Sequence, residues 1–226
     1  MNANDRGFTL VELLIAMAVG LIVLGAVYAL FTAQSKHLAN QELLTEMHQN
    51  ARIAMGIMAQ EISMAGYNQT TAPTITAVNR CTGTTTAATN PCIGITYAGN
   101  DTIKFAADLN GNGSITPDDP SDGDNANENI AYDADLSLGV KSLRRNSKYT
   151  KSGSSYQPVV ENVESLNFIY YDGAGSITAN LANIRSVKIT IVTRTAKDDP
   201  SYTDANGHHH HHYTLSSFCV IRNLGL

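Results

Sequence analysis

Glu12 stands at the threshold of an uncharged run, residues 13–33, LLIAMAVGLIVLGAVYALFTA. A carboxylate drawn into a membrane is costly, so it needs a counter-charge, or else it snorkels at the boundary with no further role. A second group of oxygens lies at residues 108–119, which read DLNGNGSITPDD. Ligands alternating along a short loop, with a glycine turning the chain midway, are the pattern of an EF-hand-type calcium site. Asp108, Asn110 and Asn112 would supply side-chain oxygens, Ser114 its carbonyl, Thr116 a water-mediated contact and Asp119 the final carboxylate, around Gly113. Asp119 stands where such loops usually carry a bidentate glutamate, and the preceding residues read as strand, so the loop would be isolated. The competing reading is an ordinary turn of Asp, Asn and Gly.

Cys81, Cys92 and Cys219 form no CxxC pair and no zinc spacing. Cys81 and Cys92 bracket a loop of Gly, Thr, Ala and Asn closed by Pro91, a segment that a disulfide would tie in an oxidising compartment; the alternative is two free thiols. Cys219, within Phe218-Cys219-Val220-Ile221, reads as a buried strand residue. Five histidines, His208 to His212, follow Asp204-Ala205-Asn206-Gly207. Such a tract reads as an exposed hairpin between strands, with transition-metal capture or an affinity tag as rivals.

GxSxG, HExxH, P-loop and dinucleotide fingerprints are all missing, so catalysis is the least supported class. Charged residues make up 15% of the chain, below the roughly 25% of an average soluble protein. The net charge is -5, and the only basic cluster is Arg144-Arg145, so no footprint for nucleic acid stands out.

The elements that would carry these residues follow from periodicity. As a helix, residues 13–33 would reach roughly 31 Å, the hydrocarbon thickness of a bilayer. A cleaved secretory signal has a shorter apolar core and ends in small residues, whereas here the run passes into Gln34-Ser35-Lys36 and more helical pattern, so it is retained. Small residues four apart, Ala16 with Gly20 and Gly25 with Ala29, permit close helix approach. Leu38, Leu43, Leu44, Met47, Ala51, Ala54, Ile57, Met58 and Ile62 then recur at spacings of three and four. One helix over about 8–66 is expected, with Gly66 as its left-handed terminator. Strands are expected at 93–97, 102–106, 129–132, 140–144, 163–171, 186–193 and 214–222.

Arg6-Gly7-Phe8-Thr9-Leu10-Val11-Glu12, followed by a long apolar helix, resembles the type IV pilin and type II secretion pseudopilin superfamily. The resemblance implies a leader, residues 1–7, cut by prepilin peptidase between Gly7 and Phe8. It also implies methylation of the new amino terminus at Phe8, and pairing of Glu12 with the terminal amine of a neighbouring subunit. An amine and a carboxylate in an apolar bundle are each expensive alone, so matching them sets the register of stacking. The helix's end, Glu61-Ile62-Ser63-Met64-Ala65-Gly66-Tyr67, and the segments 158–172 and 184–191 are similar to the PilW group of minor pilins and to J-type pseudopilins.

The implied architecture is α+β: a long N-terminal helix, membrane-spanning over about 13–33, and a β-rich head of residues 67–226 with an antiparallel sheet. The implied role is a minor pilin that helps initiate a type IV pilus, at or near its tip. The implied partners are prepilin peptidase, other minor pilins, the major pilin, the inner-membrane assembly platform and the membrane itself. The head would lie in the periplasm of a bacterial cell and later at its surface. A J-type pseudopilin of type II secretion is the alternative, as is a head that acts as adhesin or DNA receptor.

Overall fold

The computed structural model describes residues 8–68, 81, 92–109, 128–135, 141–149 and 155–224. They divide into two units, Met1–Leu44 and Thr45–Leu226. A single helix, α1 (Leu10–Ser63, 54 residues), begins in the first and ends in the second. No proline interrupts it, the first being Pro73. In the first unit its side chains are almost all exposed, and it is long and apolar enough to cross a membrane.

In the second unit α1 buries Met47, Ala51, Ala54, Met55, Met58 and Ile62, one stripe at helical spacing. Two expectations are corrected here. Leu38 is 66% exposed and belongs to the first unit, so burial starts at Met47. The regular helix also stops at Ser63, short of 66, because its last turn tightens: the N–H groups of Met64 and Ala65 donate to the carbonyls of Glu61 and Ile62 three residues back. Gly66 follows at φ 76° and donates to the carbonyl of Ala106 at 2.9 Å. A Cβ there would stand 2.5 Å from Leu224 Cδ2, so glycine answers both the left-handed backbone and the close approach.

Eight antiparallel strands follow among the described residues. β1 (Gly94–Ala98), β2 (Ile103–Ala106), β3 (Asn129–Asp135), β4 (Ser142–Asn146) and β5 (Gln157–Glu161) form a sheet in sequential order. β6 (Val163–Tyr171), β7 (Ser186–Arg194) and β8 (His212–Val220) form a second sheet in the same manner. β5 has no counterpart in the sequence expectations; it contains Pro158 and lies at the edge of its sheet, where a missing N–H is tolerated. The chain passes from β5 to β6 through Asn162 at φ 61°, a conformation that asparagine adopts more readily than most residues.

Both sheets and the second unit's part of α1 share one core. Phe105, Tyr132 and Leu143 come from the first sheet, Phe168, Ile189 and Ile191 from the second, and Met58 and Ile62 from α1. β7 shows the required alternation, with Val187, Ile189, Ile191 and Thr193 buried. Each large apolar side chain so buried contributes about 1.5–3 kcal/mol before chain entropy is counted.

Candidate functional site

The helix start is determined locally, by the stretch Thr9 to Glu12. Thr9 precedes the first helical residue, and its hydroxyl accepts from the Glu12 N–H at 3.3 Å. Glu12 Oε2 in return accepts from the Thr9 N–H and from the Thr9 hydroxyl, each at 2.9 Å. This reciprocal arrangement is a capping box, which satisfies donors that a helix otherwise leaves open and sets a negative charge at the positive end of its dipole. Both bonds land on Oε2, and Oε1 takes none from a described residue. Phe8, just before the cap, is 89% exposed, and Gly7 lies outside the described residues. The arrangement holds a carboxylate at a fixed point on the helix with one oxygen open to a cation.

Other candidate residues lie in the head. Cys81 and Cys92 are joined in a disulfide, with Cα atoms 5.1 Å apart, and both are buried. Cys219 is a free, buried thiol that donates to the carbonyl of Ala59 on α1 at 3.1 Å. Asp108 is buried at the end of β2's extension, its N–H bonded to the carbonyl of Tyr67 at 2.8 Å. Asn110, Asn112, Ser114, Thr116 and Asp119 lie outside the described residues. Glu128, where the described chain resumes, is also buried, and its Oε1 accepts from the Leu109 N–H at 3.1 Å.

His208, His210 and His211 each face a different carboxylate, those of Asp204, Asp198 and Asp199, at 3.2, 3.0 and 3.3 Å. Among the described residues no group of three or more His, Cys, Asp or Glu is arranged to hold a metal ion. The histidines close the connection between β7 and β8, and His212 already belongs to β8.

Comparison with known proteins bears on the helix and on the head separately. Residues 2–28 match the prokaryotic N-terminal methylation motif. Residues 40–213, well over half of the chain, match the family described as prepilin peptidase-dependent protein B. The chain belongs to the prepilin peptidase-dependent protein B family. Family and motif together imply processing by prepilin peptidase and a part in pilus assembly. The α+β arrangement of a long apolar N-terminal helix and antiparallel sheets is that of a type IV pilin. A pilin-like protein of Thermus thermophilus, PilA3, is 36% identical over 61 residues, which are 27% of this chain and 26% of that protein.

Two features of this prepilin peptidase-dependent protein lie outside the sequence reading. The capping box is legible, since Thr9-Leu10-Val11-Glu12 has the required spacing, yet the sequence suggests Glu12 as a partner for a neighbour or a charge snorkelling at the boundary, and not as a cap. The second feature has no local signal. Glu61 on α1 accepts from Arg145 Nε and Nη2 on β4, each at 2.9 Å, and also from the hydroxyl of Tyr132 on β3. Arg144 forks onto Asp133 and reaches Asp135 at 2.8 Å. The Arg144-Arg145 pair is thus consumed by internal ion pairs.

Proposed function

We propose that this chain is a PilW-like minor pilin of a type IV pilus, a structural and non-catalytic subunit that helps initiate assembly and resides at or near the filament tip. The observation that carries the reading is the capped carboxylate at the head of an exposed apolar helix. Cleavage between Gly7 and Phe8 would create an amine one residue before the cap, methylated at Phe8. Glu12 is engaged with its own Thr9 through Oε2, so Oε1 is the atom that would meet the terminal amine of an adjoining subunit. In an apolar surround that match favours one register over all others. The partners of this reading are prepilin peptidase, other minor pilins, the major pilin and the inner-membrane platform, with the head in the periplasm before export.

The test is the exact mass and first residue of the mature protein. N-methylated Phe8 supports the reading, and retention of Met1 overturns it. Glu12→Ala should leave membrane insertion intact and reduce incorporation into filaments.

Calcium in the 108–119 loop belongs to the same proposal. Asp108, the first position of the loop, is a buried carboxylate, and so is Glu128 where the described chain resumes; both are hard-oxygen groups of the kind calcium takes. The ion would add positive charge beside them. Calcium should raise the melting temperature of the parent and leave Asp108→Asn unmoved; equal responses in both would remove calcium from the reading.

A further inference from the structure

The second sheet has two edges that are treated in opposite ways. The outer edge of β6 is covered within the head: the Phe168 N–H donates to the carbonyl of Asn100, while the carbonyl of Tyr170 accepts from Thr178. The outer edge of β8 receives no such bonds from described residues. Its polarity can be worked out, because Ile221 donates to Arg185 and Thr195 to His211 across the β7 side. Antiparallel pairing alternates, so Thr214, Ser216, Phe218 and Val220 turn their main-chain N–H and C=O groups outward.

Open edges are normally blunted by charge, proline or a bulge. Between Thr214 and Val220 β8 carries none of these, and its register against β7 is unbroken over nine residues. Phe218 and Val220 are instead 63% and 52% exposed. Together with Arg222 they form one wall of an open groove whose other wall is Ala59 and Ser63 on the last turns of α1, with Met64 just beyond them. Arg222 is exposed at the groove, and among the described residues no carboxylate pairs with it.

We propose that this edge and groove receive an extended strand of a neighbouring subunit, of a different sequence, which carries a carboxylate opposite Arg222. The open main-chain groups provide the ladder, the apolar wall takes alternate side chains, and the exposed guanidinium selects for an acid. The β8 edge of a second copy fits less well, since β8 contains no Asp or Glu to offer Arg222. The inference rests on the reading of this chain as a filament subunit.

A full-length chain with a photo-crosslinking residue at Thr214, expressed in cells that assemble filaments, tests it. Expected is one discrete adduct whose cross-linked peptide belongs to another subunit of the same filament and contains Asp or Glu. Arg222→Glu should lower its yield roughly tenfold or more, as like charge does at an interface. Ser216→Pro removes one outward N–H without touching the β7 ladder and should abolish the adduct while leaving the melting temperature near that of the parent. No adduct in assembled filaments, or an adduct between two copies, overturns the proposal. The first residue is read from the same cells: Phe8 without an adduct defeats this inference alone, whereas retained Met1 defeats the filament reading and this inference with it.

Discussion

Arg145 on β4 holds both carboxylate oxygens of Glu61 on α1 with two parallel bonds of 2.9 Å, across 84 residues of chain. A bidentate pair fixes angle as well as distance, so it sets how α1 lies on the first sheet. Tyr132 adds its hydroxyl to the same carboxylate; burial first, and then the charge of Glu61, push its ionisation well above the usual phenol range. Both side chains of the pair are mostly buried. Removing one partner strands the other charge, so Arg145→Met should cost about 2–4 kcal/mol, whereas the double variant Glu61→Met with Arg145→Met should recover part of the loss. Denaturant unfolding of the four members of the cycle measures this.

Gly66→Ala introduces strain from two sources, a φ of 76° and a Cβ 2.5 Å from Leu224 Cδ2. About 1–3 kcal/mol of destabilisation is expected. Leu224→Ala in the same background would relieve only the steric part, so the double variant should remain less stable than Leu224→Ala alone.

The Cys81–Cys92 bond closes a loop with a sequence separation of 11. Replacing both residues by serine should cost roughly 2–3 kcal/mol through the freed chain, and more if the buried hydroxyls find no partners. Thermal unfolding with and without reductant should shift for the parent and stay fixed for the double variant.

Burial pushes the Cys219 thiol up to about 11, only partly opposed by Arg222. At pH 8 almost none of it is thiolate, so the folded protein should react with a maleimide or disulfide reagent at least about tenfold more slowly than the urea-unfolded chain. Equal rates would show that β8 does not stay docked on Ala59.

Glu164 bridges β6 to β4's approach and to β7 through Lys141 at 2.6 Å and Arg194 at 3.6 Å. Burial raises its ionisation, but the Lys141 hydrogen bond and the charges of Lys141, Arg194 and His212 outweigh it, and the net folded value is lowered. A carboxylate held below its unfolded value stabilises the fold above that unfolded value and loses the contribution as pH falls through the folded one. Glu164→Gln should therefore be less stable than the parent at pH 7 and converge toward it below about pH 4. A gap that stays constant from pH 7 to about pH 3 would assign Glu164 a packing role only.

Sequence alone determined the features governed by neighbours along the chain. The uncharged run gave one long helix, Gly66 the left-handed residue that follows its tightened last turn, and alternation gave seven of the eight described strands to within a few residues. Thr9 and Glu12, three apart, already contained the cap. These follow from local rules of period, capping and left-handed backbone, which need no knowledge of what lies across the fold.

Tertiary structure alone decided the rest. Glu61 meets Arg145, Phe168 meets Asn100, and β8 lies at the end of its sheet with no described strand beyond it, because pairings between residues distant in sequence depend on how both sheets share one core with α1. β5 is not expected from the sequence; it holds Pro158 because a strand tolerates a proline only where no neighbour needs its N–H, and the strand order places β5 at the edge.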